Sequence, residues 1–424
     1  MQPSRFLFSM LLMVTFTAIV SRPVHAQDIN AQDLSIDILH AFSGPPDGVA
    51  PNPVIRDAEG NLYGTTAGGG EASCPGSNGA GCGTVFEVTR DGQYTVLYRF
   101  LGGDSDGAFP TSGVTRDAAG NLFGTTQGAN GAPSTIYEIK RNGEEKILRY
   151  LGNANFADGA AANSAPVLDA KGNLFGNTWY GGDPSCGFNG NGCGVVYEVE
   201  ANGKFRVLYT FTSLADGIEP YGSPVIDSQG NIFGVTGLGG ILTCNHPNGC
   251  GVVYELDHTG KYKILHKFTG KSDGAFPGCV IDDGAGNLLG ITNEGGDLSC
   301  FSGFGCGTIF RMNKAGKFKT LYQFTPFTEN NAGHSCLVLD SQGNIYNTNY
   351  SGGAHNGGYL GMLDAAGKYT VLYSFAGENS TQGGFPQGVV LGPNGEFFGA
   401  TVQGGDLSCG PEETGCGTVF ELVP

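Results

Sequence analysis

Short runs of alternating apolar and polar residues, broken by glycine-rich turns, fill the chain from about residue 35 to its end. In "YTVLYRF" (94–100), Tyr94, Val96, Tyr98 and Phe100 fall on one face of an extended strand, and Thr95, Leu97 and Arg99 on the other. "KFRVLYTF" (204–211), "KYKILHKF" (261–268), "KFKTLYQF" (317–324) and "KYTVLYSF" (368–375) repeat that layout. Helical periodicity is confined to the first residues, so the fold is all-β.

These strands belong to a longer repeat. "GNLYGTT" begins at Gly60 and returns as "GNLFGTT" from Gly120, "GNLFGNT" from Gly172, "GNIFGVT" from Gly230, "GNLLGIT" from Gly286, "GNIYNTN" from Gly343 and "GEFFGAT" from Gly395. The steps are 60, 52, 58, 56, 57 and 52 residues, a period that signals a solenoid, a propeller or an array. In the first unit "PVIRD" and "NLYGTT" flank the tight turn "AEG", and "GTVFEV" and "YTVLYRF" flank "TRDG", a hairpin signal. Four antiparallel strands in each of seven units predict a seven-bladed β-propeller.

The ends of the chain favour a closed ring. "SIDILHAF" (35–42) is an outer strand with no unit before it, and the last unit stops at "GTVFELV" without one. The N-terminal strand is therefore expected to pair near Gly417–Leu422 and complete blade seven, removing an open edge. The short turns then share one plain face. The long connections, with every cysteine loop and every "DGxxP" segment, share the opposite, decorated face, where function is to be sought.

The unit "DAxGNLYGTTxxGG…CGTVFEVxxxGxxxVLYxF…DGxxP" resembles the GloVer tandem repeat of exported bacterial proteins. The resemblance covers all seven units and implies a secreted propeller of undetermined biochemical role. It supplies no catalytic residues. Many such proteins carry C-terminal sorting anchors, and no anchor follows "GTVFELVP" here.

Arg5, the apolar stretch Phe6 to Val20 and the small-residue site "VHA" read as a secretory signal peptide cleaved after Ala26. Residues 27–424 then form one propeller domain, of about 57 residues per unit. No second apolar run of membrane length follows, so no membrane span is expected. Loss of Arg5 and Arg22 leaves 20 basic against 39 acidic residues, a net charge of −19. Such a surface repels phosphate backbones, which argues against nucleic acid and anionic lipid as partners. The expected product is a secreted or periplasmic monomer.

In that compartment ten cysteines read as five local disulfides: Cys74/Cys82, Cys186/Cys193, Cys244/Cys250, Cys300/Cys306 and Cys409/Cys416. Each pair brackets a Gly/Asn-rich loop and is expected on the decorated face. Cys279 and Cys336 each lie seven residues before a motif glycine, at one register of the innermost strands of blades five and six. They are either two buried thiols or a staple between blades.

Departures from the repeat supply the candidate chemistry. Trp179, the only tryptophan, follows a second strand beside Tyr180; Tyr350 of unit six is placed at the Tyr180 register, and Tyr221 lies in the fourth blade linker. Aromatic rings on a rigid face suit sugar stacking or protein contacts. Glu71, Asp183, Asp297 and Asp406 recur before the cysteine loops, as turn caps or else as a weak Ca²⁺ site or sugar contacts. His40 and His266 take the register of Tyr98 and read as packed aromatics. His246 and His334 break the repeat on the decorated face, but no ring of imidazoles forms. The ligand-binding candidates are therefore Trp179, Tyr180, Asp183, His246, His334 and Tyr350. A non-catalytic scaffold for a glycan or protein partner, with no cofactor, is the first expectation. Alternatives are a polysaccharide hydrolase or lyase using Asp183, His246 or His334, and a structural envelope protein.

Overall fold

The computed structural model describes residues 34–424, apart from residues 76, 78, 129–132, 153–155, 188–189, 245–247, 327–334, 378 and 410–413. The expected signal peptide therefore lies outside the described residues. Seven antiparallel sheets succeed one another along the chain as the blades of a seven-bladed β-propeller. Blade five is representative, running outward through Ala275–Asp282, Asn287–Glu294, Thr308–Asn313 and Phe318–Gln323. Inner strands are the irregular ones. In blade one the inner strand splits into Gly48–Pro51 and Ile55–Arg56, around prolines that lack the N–H a ladder needs.

The recurring motif has two physical reasons. Its glycine faces the aromatic ring of the third strand: a Cβ on Gly64 would lie 2.6 Å from Phe86 Cζ, and one on Gly124 2.2 Å from Tyr137 Oη. Blade six inverts the arrangement, placing Asn347 opposite Gly361. There the Tyr369 hydroxyl donates to Asn347 Oδ1 at 2.9 Å. The preceding "D…GN" is a side-chain-bridged turn. Asp57 accepts from the Asn61 N–H at 2.8 Å and from Asn61 Nδ2 at 3.1 Å, and Asp117/Asn121, Asp169/Asn173 and Asp227/Asn231 repeat the pair.

The outer strand departs from strict alternation. In blade one Val85 pairs with Tyr98 and Phe86 with Val96, leaving Leu97 unpaired in a β-bulge. The same slip leaves Leu39, Leu148, Leu208, Leu265, Leu321 and Leu372 unpaired in the other blades. One inserted residue reverses the side-chain parity. Tyr94 and Tyr98 therefore do not share a face. Tyr94 meets His40 of blade seven, whereas Tyr98 meets Glu145 of blade two. Each blade thus offers one side chain backward and one forward. Across the gaps these stack: His40 on Tyr94 (3.6 Å), Tyr209 on Tyr262 (4.1 Å), His266 on Phe318 (4.0 Å) and Tyr322 on Tyr369 (4.6 Å). His40 and His266 are packed rings as expected, each also bonded to a linker aspartate, Asp47 or Asp273.

The ring closes as the termini suggested. Ser35–Ala41 pairs antiparallel with Thr418–Val423, from Ser35↔Val423 to Ala41↔Thr418. Leu34 joins Phe420 and Leu422 in one core cluster, with Ile36 and Ile38 against it, and Phe42 joins Phe86 and Val419 in the next.

All five local disulfides form: Cys74–Cys82, Cys186–Cys193, Cys244–Cys250, Cys300–Cys306 and Cys409–Cys416. The second cysteine of each pair, Cys82, Cys193, Cys250, Cys306 or Cys416, is fully buried in the core between blades. Each directly precedes the glycine that leads into a third strand, where the next blade's inner strand comes alongside. The carbonyls of Cys82, Cys193, Cys250 and Cys416 accept from the N–H groups of Phe109, which precedes that next strand, and of Glu219, Phe276 and Ala50 within it. A disulfide sulfur is apolar and suits such a joint. These five cysteines therefore brace the blades and offer nothing to a ligand. Cys279 and Cys336 form a sixth bond, with Cα atoms 5.6 Å apart, so the staple between blades five and six is the arrangement present.

Candidate functional site

The acidic residues before the cysteine loops are committed to their own turns. Asp183 Oδ1 accepts from the Ser185 N–H at 2.8 Å and from Ser185 Oγ at 2.7 Å. Asp297 with Ser299, Asp406 with Ser408 and Glu71 with Ser73 repeat the cap. These bonds hold all four carboxyls below their usual range. Among the described residues no three His, Cys, Asp or Glu side chains converge as metal ligands. His246 and His334 lie outside the described residues, and His355 is exposed.

Two of the three aromatic candidates, Trp179 and Tyr180, come together with Tyr221 at the decorated end of the central channel. Second strands of the blades end there, and inner strands begin there. Trp179 lies 5.6 Å from Tyr221, with its ring tilted by 37°, and 6.1 Å from Tyr180. Tyr221 stands inside the inner strand of blade four, Ile218–Ile226, rather than in the linker. Its ring lies 5.9 Å from Phe276. Phe276 in turn covers Gly237, where any Cβ would come 3.0 Å from the ring. Tyr180, Trp179, Tyr221 and Phe276 thus form a half-buried arc across blades three to five. Trp179 is neither the exposed plate nor the core ring that sequence alone allowed.

Tyr350 is not part of this arc. Counted from the motif glycine it stands at the Trp179 register, not that of Tyr180. It pairs with Phe385 of the next blade at 5.0 Å, as Trp179 pairs with Tyr221. The sequence placed Trp179, Tyr180 and Asp183 together; the structure keeps the two rings and assigns Asp183 to its turn.

Polar groups the sequence reading missed stand at the same strand ends, with Asn293 at the Trp179 register of blade five and its amide nitrogen 3.4 Å from where a Cβ on Gly278 would lie. The Trp179 indole N–H is buried without a hydrogen-bond partner. Asn293, only 5% exposed, leaves both its amide oxygen and its amide nitrogen unpaired. Its neighbour Glu294 has a carboxyl oxygen unpaired, and burial pushes this acid up to about 7. Glu219 occupies the left-handed position before the linker proline (φ 56°), where Ala50, Phe109, Phe276 and Phe385 stand in other blades. Burial raises its pKa, and its charge bears on the Tyr180 hydroxyl. A desolvated carboxyl at an otherwise apolar register costs stability unless something uses it. The signal was in the sequence, as a break in the repeat at Glu219 and at "NEGG" (293–296).

Clefts of about 350, 410 and 490 Å³ open elsewhere, between blades on the plain face. Their charged side chains are largely paired across the gap: Arg116 with Asp57 at 3.7 Å and over the Tyr63 ring, and Arg56 over Phe398. These are joints between blades, distant from the arc.

A model of the Gloeobacter/Verrucomicrobia repeat matches residues 28–241 and 151–304, together more than half of the chain. The chain belongs to this repeat family. A comparison with curated proteins finds no match. Among solved structures this Gloeobacter/Verrucomicrobia repeat protein is similar in fold to a protein provisionally assigned as a 6-phosphogluconolactonase from Bacteroides uniformis. That likeness has a TM-score of 0.51 at 12% identity, over 86% of this chain and 99% of the other. A gluconolactonase of Xanthomonas campestris gives 0.44 at 11% identity, over 93% and 91%. TolB from Acinetobacter baumannii gives 0.41 at 12% identity, over 78% of this chain and 64% of its own length. At such identities the likeness is one of fold alone.

Proposed function

We propose that this protein is an exported, non-catalytic scaffold that binds an extracellular glycan through the arc at the decorated end of its channel. Residues 27–424 act as one monomeric domain after removal of residues 1–26. The supporting observation is the run of four half-buried rings, Tyr180, Trp179, Tyr221 and Phe276, with unpaired polar atoms on Trp179 itself and on Asn293 at the same register of blade five. A sugar ring needs an apolar plate and hydrogen-bonding groups at its rim, and this arc offers both. Six disulfides suit an oxidising compartment. No helix among the described residues is long and apolar enough to cross a membrane.

A protein partner is the second reading. It is favoured by Leu242 (49% exposed) and Leu298 (42%), which share one register of adjacent cysteine loops on the same face. A polysaccharide-binding array run beside a degradation assay tests the proposal. Binding without released oligosaccharide supports it. Release of oligosaccharide, or binding to no polysaccharide, overturns it.

A further inference from the structure

Resting on the glycan-binding reading, we infer that the arc accepts uncharged or amine-bearing sugar chains and excludes uronates, with Glu219 as the group that discriminates. Two carboxyl groups, Glu219 and Glu294, stand at this end of the channel, and neither has an ion-pair partner among the described residues. The basic side chains lie mostly elsewhere. Arg56, Arg90, Arg116, Arg141, Arg311 and Lys314 belong to the plain-face turns and clefts. A uronate carboxylate laid on the arc would meet the like charge of Glu219, and the base of the blade-five linker, Lys271, is tied through its carbonyl to the Gly296 N–H beyond Glu294.

Glu219 is placed to make that choice. From its register, Phe385 reaches Tyr350 and Phe276 reaches Gly237, so Glu219 projects toward the end of blade three that carries Trp179 and Tyr180. The Glu219 N–H donates to Cys193 O at 3.1 Å, which holds this residue against the start of the third strand of blade three. An ionised carboxyl accepts hydrogen bonds from sugar hydroxyls or an ammonium group, and donates none. The Asn293 amide and the Trp179 N–H can donate to hydroxyl or ring oxygens of the same chain. Specificity of this kind comes from a repulsive element as much as an attractive one.

The test uses the full mature chain with three soluble polymers at one ionic strength: a neutral β-glucan, chitosan and polygalacturonate. The first two should bind at least about tenfold more tightly than the third, the scale of a like-charge clash at a binding surface. Glu219→Gln should bring polygalacturonate to within about threefold of the glucan when both are measured on that variant. Thermal melting checks that the variant folds, and Glu294→Gln serves as the second variant if it does not. Wild-type protein that binds polygalacturonate as well as glucan overturns the inference and leaves the scaffold reading in place. So does discrimination that survives both substitutions, since the overall negative charge would then account for it. Failure of all three polymers to bind removes both readings.

Discussion

Trp179 is held on one side by Tyr221 and on the other by Tyr180, yet its indole N–H has no partner, so the residue is only partly accounted for by packing. Trp179→Ala should weaken glycan binding by about 1–3 kcal/mol, the scale of a lost stacking anchor, and cost roughly 2 kcal/mol of stability because the ring is half-buried. Trp179→Phe should restore most of the stability but less of the affinity. Calorimetric titration beside thermal melts separates the two, and an alanine variant that binds normally removes Trp179 from the site. The sequence exposed Trp179 because it breaks a repeat. It named Tyr221 but placed it in the linker, and it gave no reason to join Phe276 or Glu219 to it, because contacts across a blade gap join residues far apart in the chain and the register shift between Tyr221 and Val225 in the blade-four inner strand is not visible in the pattern. The gap between blades one and two holds a second informative residue, Glu145, where blades one and three to six place an aromatic ring and blade seven has Ile36. The Tyr98 hydroxyl lies 3.1 Å from Asp106 Oδ2 and 2.9 Å from Glu145 Oε2, and its single hydrogen cannot serve both. Burial and the charge of Asp106 push Glu145 up to about 7 from an ordinary 4.5, with Tyr137 and Tyr150 the other titratable groups in its field. A raised acid favours the fold while protonated. That contribution is complete below about pH 4.5 and is lost as the pH rises through about 7. Glu145→Gln should flatten melting temperature against pH in that window and raise it at pH 8; curves that stay parallel to wild type would exclude the shared proton.

At the scale of the strand, the outer-strand bulge is the feature that alternation alone could not disclose. "VLYxF" reads as an unbroken period of two, yet the leucine in each copy is skipped by the ladder. The bulge turns one side chain toward each neighbouring blade, and the stacked pairs around the ring follow from it. A period-two pattern reports burial on two faces and is silent about a residue whose backbone leaves the pairing. Loop composition is silent in a similar way: Cys82, Cys193, Cys250, Cys306 and Cys416 stand two residues before the third strand, at the end of Gly/Asn-rich loops, and are buried all the same. The inner strands posed a different question, whether Cys279 and Cys336 are bonded, and register alone left it open because it fixes height along the channel but not separation across it. Their bond closes a loop of 57 residues, whereas the local bonds close 6–8. By the chain-entropy account the long staple contributes about 4 kcal/mol and each short one about 2.5. The double variant Cys279→Ala/Cys336→Ala should therefore lose more stability than Cys300→Ala/Cys306→Ala, measured by chemical denaturation in non-reducing buffer. Equal losses would mean that packing of blades five and six, not the cross-link, sets their joint.

For the whole molecule, closure is the step that converts seven marginal sheets into one cooperative ring, and it was legible in the sequence because both ends were incomplete. An outer strand without a blade and a blade without an outer strand admit one economical pairing, and Ser35–Ala41 lies against Thr418–Val423. Hydrogen bonding is only part of what this pairing supplies. Leu34, Ile36 and Ile38 cover Phe420 and Leu422, while Phe42 enters the core between blades seven and one and donates its N–H to Gly417 O at 3.0 Å. Without the N-terminal strand, Thr418–Val423 becomes an open edge, and the cluster joining blades seven and one loses Phe42, a fully buried ring. Removal of one large buried aromatic alone costs about 3–5 kcal/mol, a large share of the net stability of an ordinary domain. Deletion of residues 27–43 should thus lower the melting temperature sharply and broaden the transition, since blades near the gap would unfold first. Exposure of the free edge should also make the truncated protein self-associate, seen as concentration-dependent sedimentation. Adding back a synthetic peptide of residues 34–43 should restore part of the stability in proportion to its concentration, as a ligand that binds only the folded state must. A truncated chain that melts like the intact protein would show that the N-terminal strand decorates a ring already closed by other contacts.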